Sequence, residues 1–411
     1  MTDRLYYNEP DLREFDATVL GVSEAGDRLI VTLDRTAFYP TSGGQPFDTG
    51  MLGPFRVVDV RDENGGTVEH VLASDTCQTG VRPVSDTSLT PGQTVHGVID
   101  WGRRFDHMQQ HTGQHVLSAA FDKLFGVRTI SFHLGAAAST IDLAREMTPA
   151  EISAAEDEAN RIVWEDRPVA IRYATADEAA ALPLRKESMR GGTLRLIDVT
   201  GFDLSACGGT HVSRTGAIGI IAVGSWERFK GGQRIEFLCG RRALARFRSQ
   251  RDAISGGVRL LSVLPDELPA SIERLQAEAK AQKRSLAALQ GELAKYRADE
   301  LATAAETIPS GARLVRQSVD ADANGLKSLA MSIARRPGYI VVLTSTVKPA
   351  LIVVARSSDV DVAANQIVAR LITTFGGRGG GKADLAQGGG LDGNPNSILD
   401  RAREVIVQPL Q

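Results

Sequence analysis

The sequence predicts a multidomain α+β protein, and three observations predict it. The chain has 411 residues, too many for one hydrophobic core. Its first quarter alternates apolar and polar residues about glycine-rich turns, the pattern of paired strands. A later stretch holds a seven-residue apolar repeat, the pattern of long packed helices. Hydrophobic residues at 42% and charged residues at 24% are ordinary for a water-soluble globular chain, which excludes disordered and fibrous classes.

Residues 1–100 are expected to form a small, glycine-rich, β-barrel-like domain. The segment ATVLGVSEAGDRLIVTLD alternates on both sides of a reversal near residues 24–27, and FRVVDVRDENGGTVEHVL repeats the plan about Asn64-Gly65-Gly66. Residues 101–240 mix helix and strand signals. A helix is expected over 108–125, where there is one glycine and no proline. A second, over 148–166, opens Thr-Pro-Ala-Glu with proline at its first position. Strands are expected over 169–174, 193–199, 218–225 and 234–238, giving an α+β domain. In residues 241–304 the seam Leu268, Ile272, Leu275, Ala279, Gln282, Leu286, Leu289, Leu293, Tyr296 steps by four and three. Such a seam fits a helical hairpin packed on itself or a coiled coil joining two copies, and it does not choose between them. Residues 305–411 read as an α/β domain, with strands over 339–344 and 350–355 and a helix over 362–374. The run FGGRGGGKADLAQGGGLDG follows. Arg378, Lys382, Asp384 and Gln387 interrupt its glycines, so a defined loop with a close backbone approach is expected rather than a linker.

Net charge is −3, so there is no global basic field, and any nucleic-acid contact must be a local patch. The three cysteines, Cys77, Cys207 and Cys239, are too few for a disulfide framework and fit a reducing compartment. The N-terminal stretch has no apolar segment of the signal-peptide kind, and the apolar runs fall short of the ~18 residues a membrane span needs. A cytoplasmic protein without a membrane partner is expected.

Two motifs carry chemistry. His111-Thr-Gly-Gln-His115 puts two imidazoles four apart on a predicted helix, hence on one face. Cys207-Gly-Gly-Thr-His211 puts a thiolate and an imidazole four apart in a glycine-rich turn. Together they offer N, N, S and N donors, a set suited to tetrahedral zinc. A peptidase of the HExxH type needs glutamate after the first histidine, and Thr112 stands there instead. His70 and His96 lie in strand contexts and read as structural, while His107 and His133 stay open.

HTGQH with CGGTH resembles the editing domain of alanyl-tRNA synthetase and its free-standing AlaX relatives. FYPTSGGQPFDTG resembles the glycine-rich segment before that domain, GGQRIEFLCGRRAL the segment that closes it, and FGGRGGGKADLAQGGG the C-terminal domain of alanyl-tRNA synthetase. The resemblance implies the long form of the AlaX family. Residues 101–240 would be a zinc-dependent deacylase core and 305–411 a tRNA-binding domain. The implied activity is hydrolysis in trans of the ester of mischarged Ser-tRNA(Ala), or Gly-tRNA(Ala), without aminoacylation.

Alanine is smaller than serine, so a pocket that holds serine also admits alanine. The site must therefore hydrogen-bond the serine hydroxyl. By position the resemblance assigns that role to Ser131, with Thr41, Ser42 and Gln45 as further candidates and His133 nearby. The N–H groups of Gly208 and Gly209 are candidate oxyanion donors. For tRNA, residues 226–264 carry nine basic side chains against three acidic ones. Arg228, Lys230, Arg241 and Arg242 are the candidates there, and Arg378 and Lys382 in the last domain. The alternative is an RNA-binding module in which a closed four-ligand zinc only holds the fold.

Overall fold

The structure, a computed structural model, describes residues 1–26, 28–63, 66–73, 89–185 and 192–408. The expected turn at Asn64-Gly65, Asp27 of the first reversal, and Cys77 lie outside the described residues. The chain divides into two compact units, Met1–Gly256 and Gly257–Gln411. The segments expected as 1–100 and 101–240 both fall in the first unit.

The first unit opens with strands β1 (Asp3–Arg4), β2 (Glu14–Ala25), β3 (Arg28–Leu33), β4 (Arg35–Thr36), β5 (Gly50–Leu52), β6 (Phe55–Glu63), β7 (Thr67–Ala73) and β8 (Thr94–Ile99). Six of them close into a barrel in the order β2-β3-β7-β6-β5-β8, and β1 pairs with β4 in parallel. Side chains alternate along a strand, so every second residue turns inward. Val19, Val31, Leu33, Val57, Val60, Val68 and Leu72 fill the interior.

The core follows as helix α1 (Trp101–Phe125), β9 (Thr129–Leu134), β10 (Ser139–Leu143), α2 (Pro149–Trp164), β11 (Val169–Ala174), α3 (Ala176–Ala180), β12 (Leu194–Val199), β13 (Asp203–Ala206), β14 (Ile221–Phe229) and β15 (Gly232–Cys239). An antiparallel sheet runs β14-β15-β10-β9 and another β11-β12-β13. Helix α1 begins at Trp101, about two turns earlier than the expected Met108. Asp100 caps it by accepting the Arg103 N–H at 3.2 Å, and Gly126 ends it with φ 66°. Thr148 and Glu151 form a reciprocal capping box at the start of α2. The strand expected from 218 starts at Ile221, because Thr215–Ile218 winds into a 3₁₀ turn.

A buried ion pair joins barrel to helix. The guanidinium of Arg104 donates from Nε to Asp48 Oδ2 at 2.9 Å and from Nη1 to the Pro10 carbonyl at 2.9 Å. Asp48 Oδ2 also accepts the Tyr39 N–H at 2.7 Å, and neither charged side chain is exposed.

Helices α4 (Gly240–Leu261) and α5 (Leu268–Thr303) occupy the segment expected to be helical. Along α5 the seam residues Ile272, Leu275, Leu286, Leu289, Leu293 and Tyr296 are exposed. The C-terminal unit continues with β16 (Glu306–Thr307), β17 (Arg313–Val319), α6 (Ala323–Ala334), β18 (Tyr339–Ser345), β19 (Ala350–Arg356), α7 (Ala364–Phe375), β20 (Arg378–Gly381), β21 (Leu385–Leu391) and α8 (Pro395–Val407). Its sheet runs β16-β17-β18-β19-β21-β20. Ile340, Val342, Ile352 and Val354 pack under α7 and α8. Val341, Leu343, Val353 and Ala355 pack under α6 and the end of α5.

The glycine run expected as a loop is instead the hairpin of β20 and β21 at the sheet edge. A Cβ on Gly379 would lie 2.4 Å from the Gln387 carbonyl oxygen. What the backbone approaches closely is its own partner strand. Among the described residues no helix is long and apolar enough to cross a membrane.

Candidate metal centre

Most of α1 from Arg104 to Phe121 is buried, although it carries histidines, glutamines and threonine. Buried polar groups need partners, and those partners fix the site. Gln110 bridges the backbone of Cys239, donating to its carbonyl at 3.1 Å and accepting its N–H at 2.8 Å. Gly113 allows that approach, since a Cβ there would meet Cys239 Sγ at 2.2 Å.

The structure brings His111, His115, Cys207 and His211 together, with one ligand atom from each within 4.8 Å of all the others. Cys207 Sγ stands 3.3 Å from His111 Nε2 and 3.4 Å from His211 Nε2. Donors around a tetrahedral zinc with Zn–N near 2.0–2.1 Å and Zn–S near 2.3 Å stand about 3.3–3.6 Å apart for three nitrogens and one sulfur, so the donor set and the two sulfur–nitrogen spacings are compatible with zinc. The three histidines are buried and Cys207 is half-buried.

Each imidazole is oriented through its other nitrogen. His111 Nδ1 donates to Gln45 Oε1 at 2.9 Å, and His115 Nδ1 donates to Asp203 Oδ2 at 2.9 Å. His211 Nδ1 lies 3.2 Å from Thr112 Oγ1, which also accepts the Val212 N–H at 3.1 Å. Such partners fix the tautomer and turn the free nitrogen toward a metal. Gln45 further donates to Thr210 Oγ1 at 2.8 Å and accepts the Thr210 N–H at 3.1 Å. It sits at the end of a tight turn in which Ser42 and Gln45 exchange backbone hydrogen bonds and Gly43 and Gly44 take φ of 53° and 81°. Gly44 lies against the Phe132 ring, which packs 5.7 Å from the His111 ring.

The electrostatics suit a thiolate ligand. Burial opposes ionisation of Cys207, but His111 and His211 outweigh it and hold the thiol well below its usual range. Burial also opposes a charged His115, yet Asp203 and Cys207 raise it to about 9. Burial, reinforced by His111, lowers His211 to about 3. Asp203 overcomes burial through His115 and Arg185 and falls to about 2.

The other expected residues fall elsewhere. Ser131 is paired in register with Asp142 and donates to its Oδ2 at 2.5 Å, and Arg234 Nε donates to the same carboxylate at 2.7 Å. Phe132, the next residue, faces His111, so strand alternation turns Ser131 and His133 to the opposite side. Thr41 is exposed, with its N–H on the Val60 carbonyl, and the Ser42 carbonyl accepts the Tyr39 hydroxyl at 3.1 Å. The Gly209 N–H lies 3.4 Å from Cys207 Sγ, while Gly208 is exposed.

Of the basic candidates, Arg242 is committed to Asp106 and to the Gly135 carbonyl. Arg228 pairs with Glu146 at 2.9 Å. Lys230, Arg241, Arg378 and Lys382 are exposed. His70 is buried between Thr36 and the Val31 carbonyl, His96 pairs with Asp16, and His107 is buried with its Nδ1 unpartnered. Sequence reasoning missed Thr112, Asp203 and Phe132. Only Thr112, inside HTGQH, stood in a motif already singled out.

The model of the threonyl and alanyl tRNA synthetase second additional domain matches residues 194–236. The DHHA1 domain matches 311–408, and the class II (A) tRNA synthetase model matches 10–103. The alanine–tRNA ligase of Pyrococcus abyssi is 34% identical over 406 residues, which are 94% of this chain and 42% of the ligase. That of Natronomonas pharaonis is 34% identical over 429 residues, 100% of this chain and 44% of the ligase. The chain thus spans less than half the length of these ligases. Alanyl-tRNA editing protein AlaX-L of Pyrococcus horikoshii is 31% identical over 421 residues, covering 100% of both proteins. By that match, and with the histidine and cysteine cluster assembled as described, the chain belongs to the family of AlaX-L alanyl-tRNA editing proteins.

Proposed function

We propose that this protein is a trans-acting aminoacyl-tRNA deacylase that hydrolyses the ester of Ser-tRNA(Ala), and of Gly-tRNA(Ala), and does not charge tRNA. The observation that carries the reading is the cluster of His111, His115, Cys207 and His211, three ligands buried and one half-exposed beside the exposed Gly208. The likeness to AlaX-L along the full length of both chains supports the trans-acting form.

Zinc bound there would supply Lewis acidity toward the ester carbonyl or lower the pKa of a water. The protein's own residues do the rest. Gln45, Asp203 and Thr112 hold the three imidazoles in fixed tautomers. The Gly208 N–H is the candidate donor to the oxyanion of the tetrahedral intermediate. Thr41 and Ser42, on the turn that delivers Gln45, are the candidates for reading the serine hydroxyl. Ser131 is bonded to Asp142 and would have to act from the other side of its strand. Lys230, Arg241, Arg378 and Lys382 are candidate phosphate contacts, and we place the reaction in the cytoplasm. The exposed seam of α5 supports a homodimer built by pairing two copies of that helix.

A second reading has one observation in its favour. Four protein donors close a tetrahedron, as in structural zinc sites. The protein would then bind tRNA without turnover. Deacylation of purified Ser-tRNA(Ala) and Ala-tRNA(Ala) decides. The proposed function expects rapid loss of serine, slow loss of alanine, and no activity in a folded Cys207→Ala variant. A folded wild type that hydrolyses neither ester leaves the binding module.

A further inference from the structure

The Cys207–Gly209 turn is gripped by a residue that no motif announces. Arg195 lies on β12, twelve positions before Cys207. Its Nη1 donates to the carbonyls of Cys207 at 2.7 Å and Gly209 at 2.9 Å, and its Nε donates to the Tyr7 carbonyl at 2.9 Å. Its own carbonyl accepts the Cys207 N–H at 3.0 Å. The guanidinium is buried and stands 5.6 Å from the centre of the Tyr7 ring, and Tyr7 Oη is the atom nearest to where a Gly208 side chain would begin.

We propose that Arg195 is a positioning residue of the metal centre: its guanidinium sets the Cys207–Gly209 turn, and so the direction of the Cys207 thiolate, and ties that turn to the N-terminal segment at Tyr7. The three acceptors lie on two chain segments and are met by two nitrogens of one rigid plane, Nε and Nη1, a geometry that lysine's single ammonium does not reproduce. With the fork absent, the carbonyls flanking the thiolate lose their common anchor and the turn can rotate. The histidines keep their partners on Gln45, Asp203 and Thr112, so the defect falls first on the sulfur ligand.

The inference rests on the cluster binding metal. The experiment therefore titrates the metal-free full-length protein with Co²⁺, reading both affinity and the near-ultraviolet sulfur-to-cobalt charge-transfer band. Thermal unfolding of the metal-free protein runs alongside. Wild type is expected to bind and to show the band, and a wild type that binds no cobalt removes the metal reading itself. Arg195→Met is expected to bind about 10–100-fold more weakly, as for loss of other groups that orient ligands, with the band weakened. Arg195→Lys should recover part of both. If Arg195→Met does not fold, Arg195→Gln is read in the same way. A folded Arg195→Met or Arg195→Gln variant with lowered thermal stability but wild-type affinity and band would make Arg195 a residue of the fold only and overturn the proposal.

Discussion

The two glycines of the Cys207–His211 motif should respond in opposite ways to a single methyl group. A Cβ on Gly209 would stand 2.1 Å from His111 Cε1, 2.3 Å from His111 Nδ1 and 3.1 Å from Gln45 Oε1. Carbon atoms in contact settle near 3.5–4.0 Å, so the ring must retreat by more than about 1 Å. Metal–ligand distances tolerate only about ±0.2 Å. Gly209→Ala therefore removes His111 from the ligand set and breaks its bond to Gln45. Loss of an orienting partner alone costs about 10–100-fold in metal affinity, so loss of the ligand should cost at least about a hundredfold. Overpacking should destabilise the metal-free protein by about 1–3 kcal/mol. A Cβ on Gly208 meets nothing closer than Tyr7 Oη at 3.8 Å, and the residue is exposed. Gly208→Ala should stay within about 0.5 kcal/mol of wild type and bind metal normally. Competition with a chromogenic zinc chelator measures the first quantity, and urea unfolding of metal-free protein the second. Wild-type zinc affinity in folded Gly209→Ala, or equal damage in Gly208→Ala, would show that the approach of Gly209 to His111 does not govern metal binding.

Four further outcomes are expected. Asp203→Asn should weaken zinc binding about 10–100-fold, by loosening His115, in the same chelator competition. Arg104→Met, which strands the buried Asp48 carboxylate, should cost about 3–5 kcal/mol in urea unfolding; adding Asp48→Leu should recover most of this, less the Tyr39 N–H left without its acceptor. Burial holds His70 down to about 4 in the folded barrel, against ~6.5 unfolded. The unfolded chain therefore takes up this proton first. Stability is intact above pH ~6.5 and falls as the pH drops toward 4, by up to about 3 kcal/mol, and His70→Gln should remove that increment from the difference in unfolding free energy between pH 7 and pH 4.5. Light scattering on wild type should give a dimer and on Leu289→Lys, in the exposed seam of α5, a monomer; a monomeric wild type ends the dimer reading.

What the sequence revealed was local. Thr-Pro-Ala-Glu marked the start of α2 because a capping box closes within four residues. The histidine and cysteine cluster was legible because each pair lies four residues apart and the donor chemistry is distinctive. The groups that orient them were harder to see. Asp203 meets His115 across 88 positions and Gln45 meets Thr210 across 165, distances over which spacing says nothing. Ser131 was chosen by counting along the chain, but a strand reverses its face at every residue, and an offset of one turns a pocket residue into a partner of Asp142. The glycine run pointed to close backbone approach. It did not say that the approach would be to Gln387 and Ala386 of the next strand.

The side chain of Gln45 also sets a timetable. It needs His111, 66 positions onward, and Thr210, 165 positions onward, while the sulfur ligand Cys207 follows His111 by 96. At ~5–20 residues per second a ribosome delivers that cysteine about 5–20 s after the histidine. During that interval the nascent chain holds the barrel and α1, with two imidazoles of the cluster and the Gln45 amide, but not Cys207. Were the cluster to bind metal, its complete ligand set would form only late in synthesis of the first unit, and a bound ion would report that three distant stretches of chain have met.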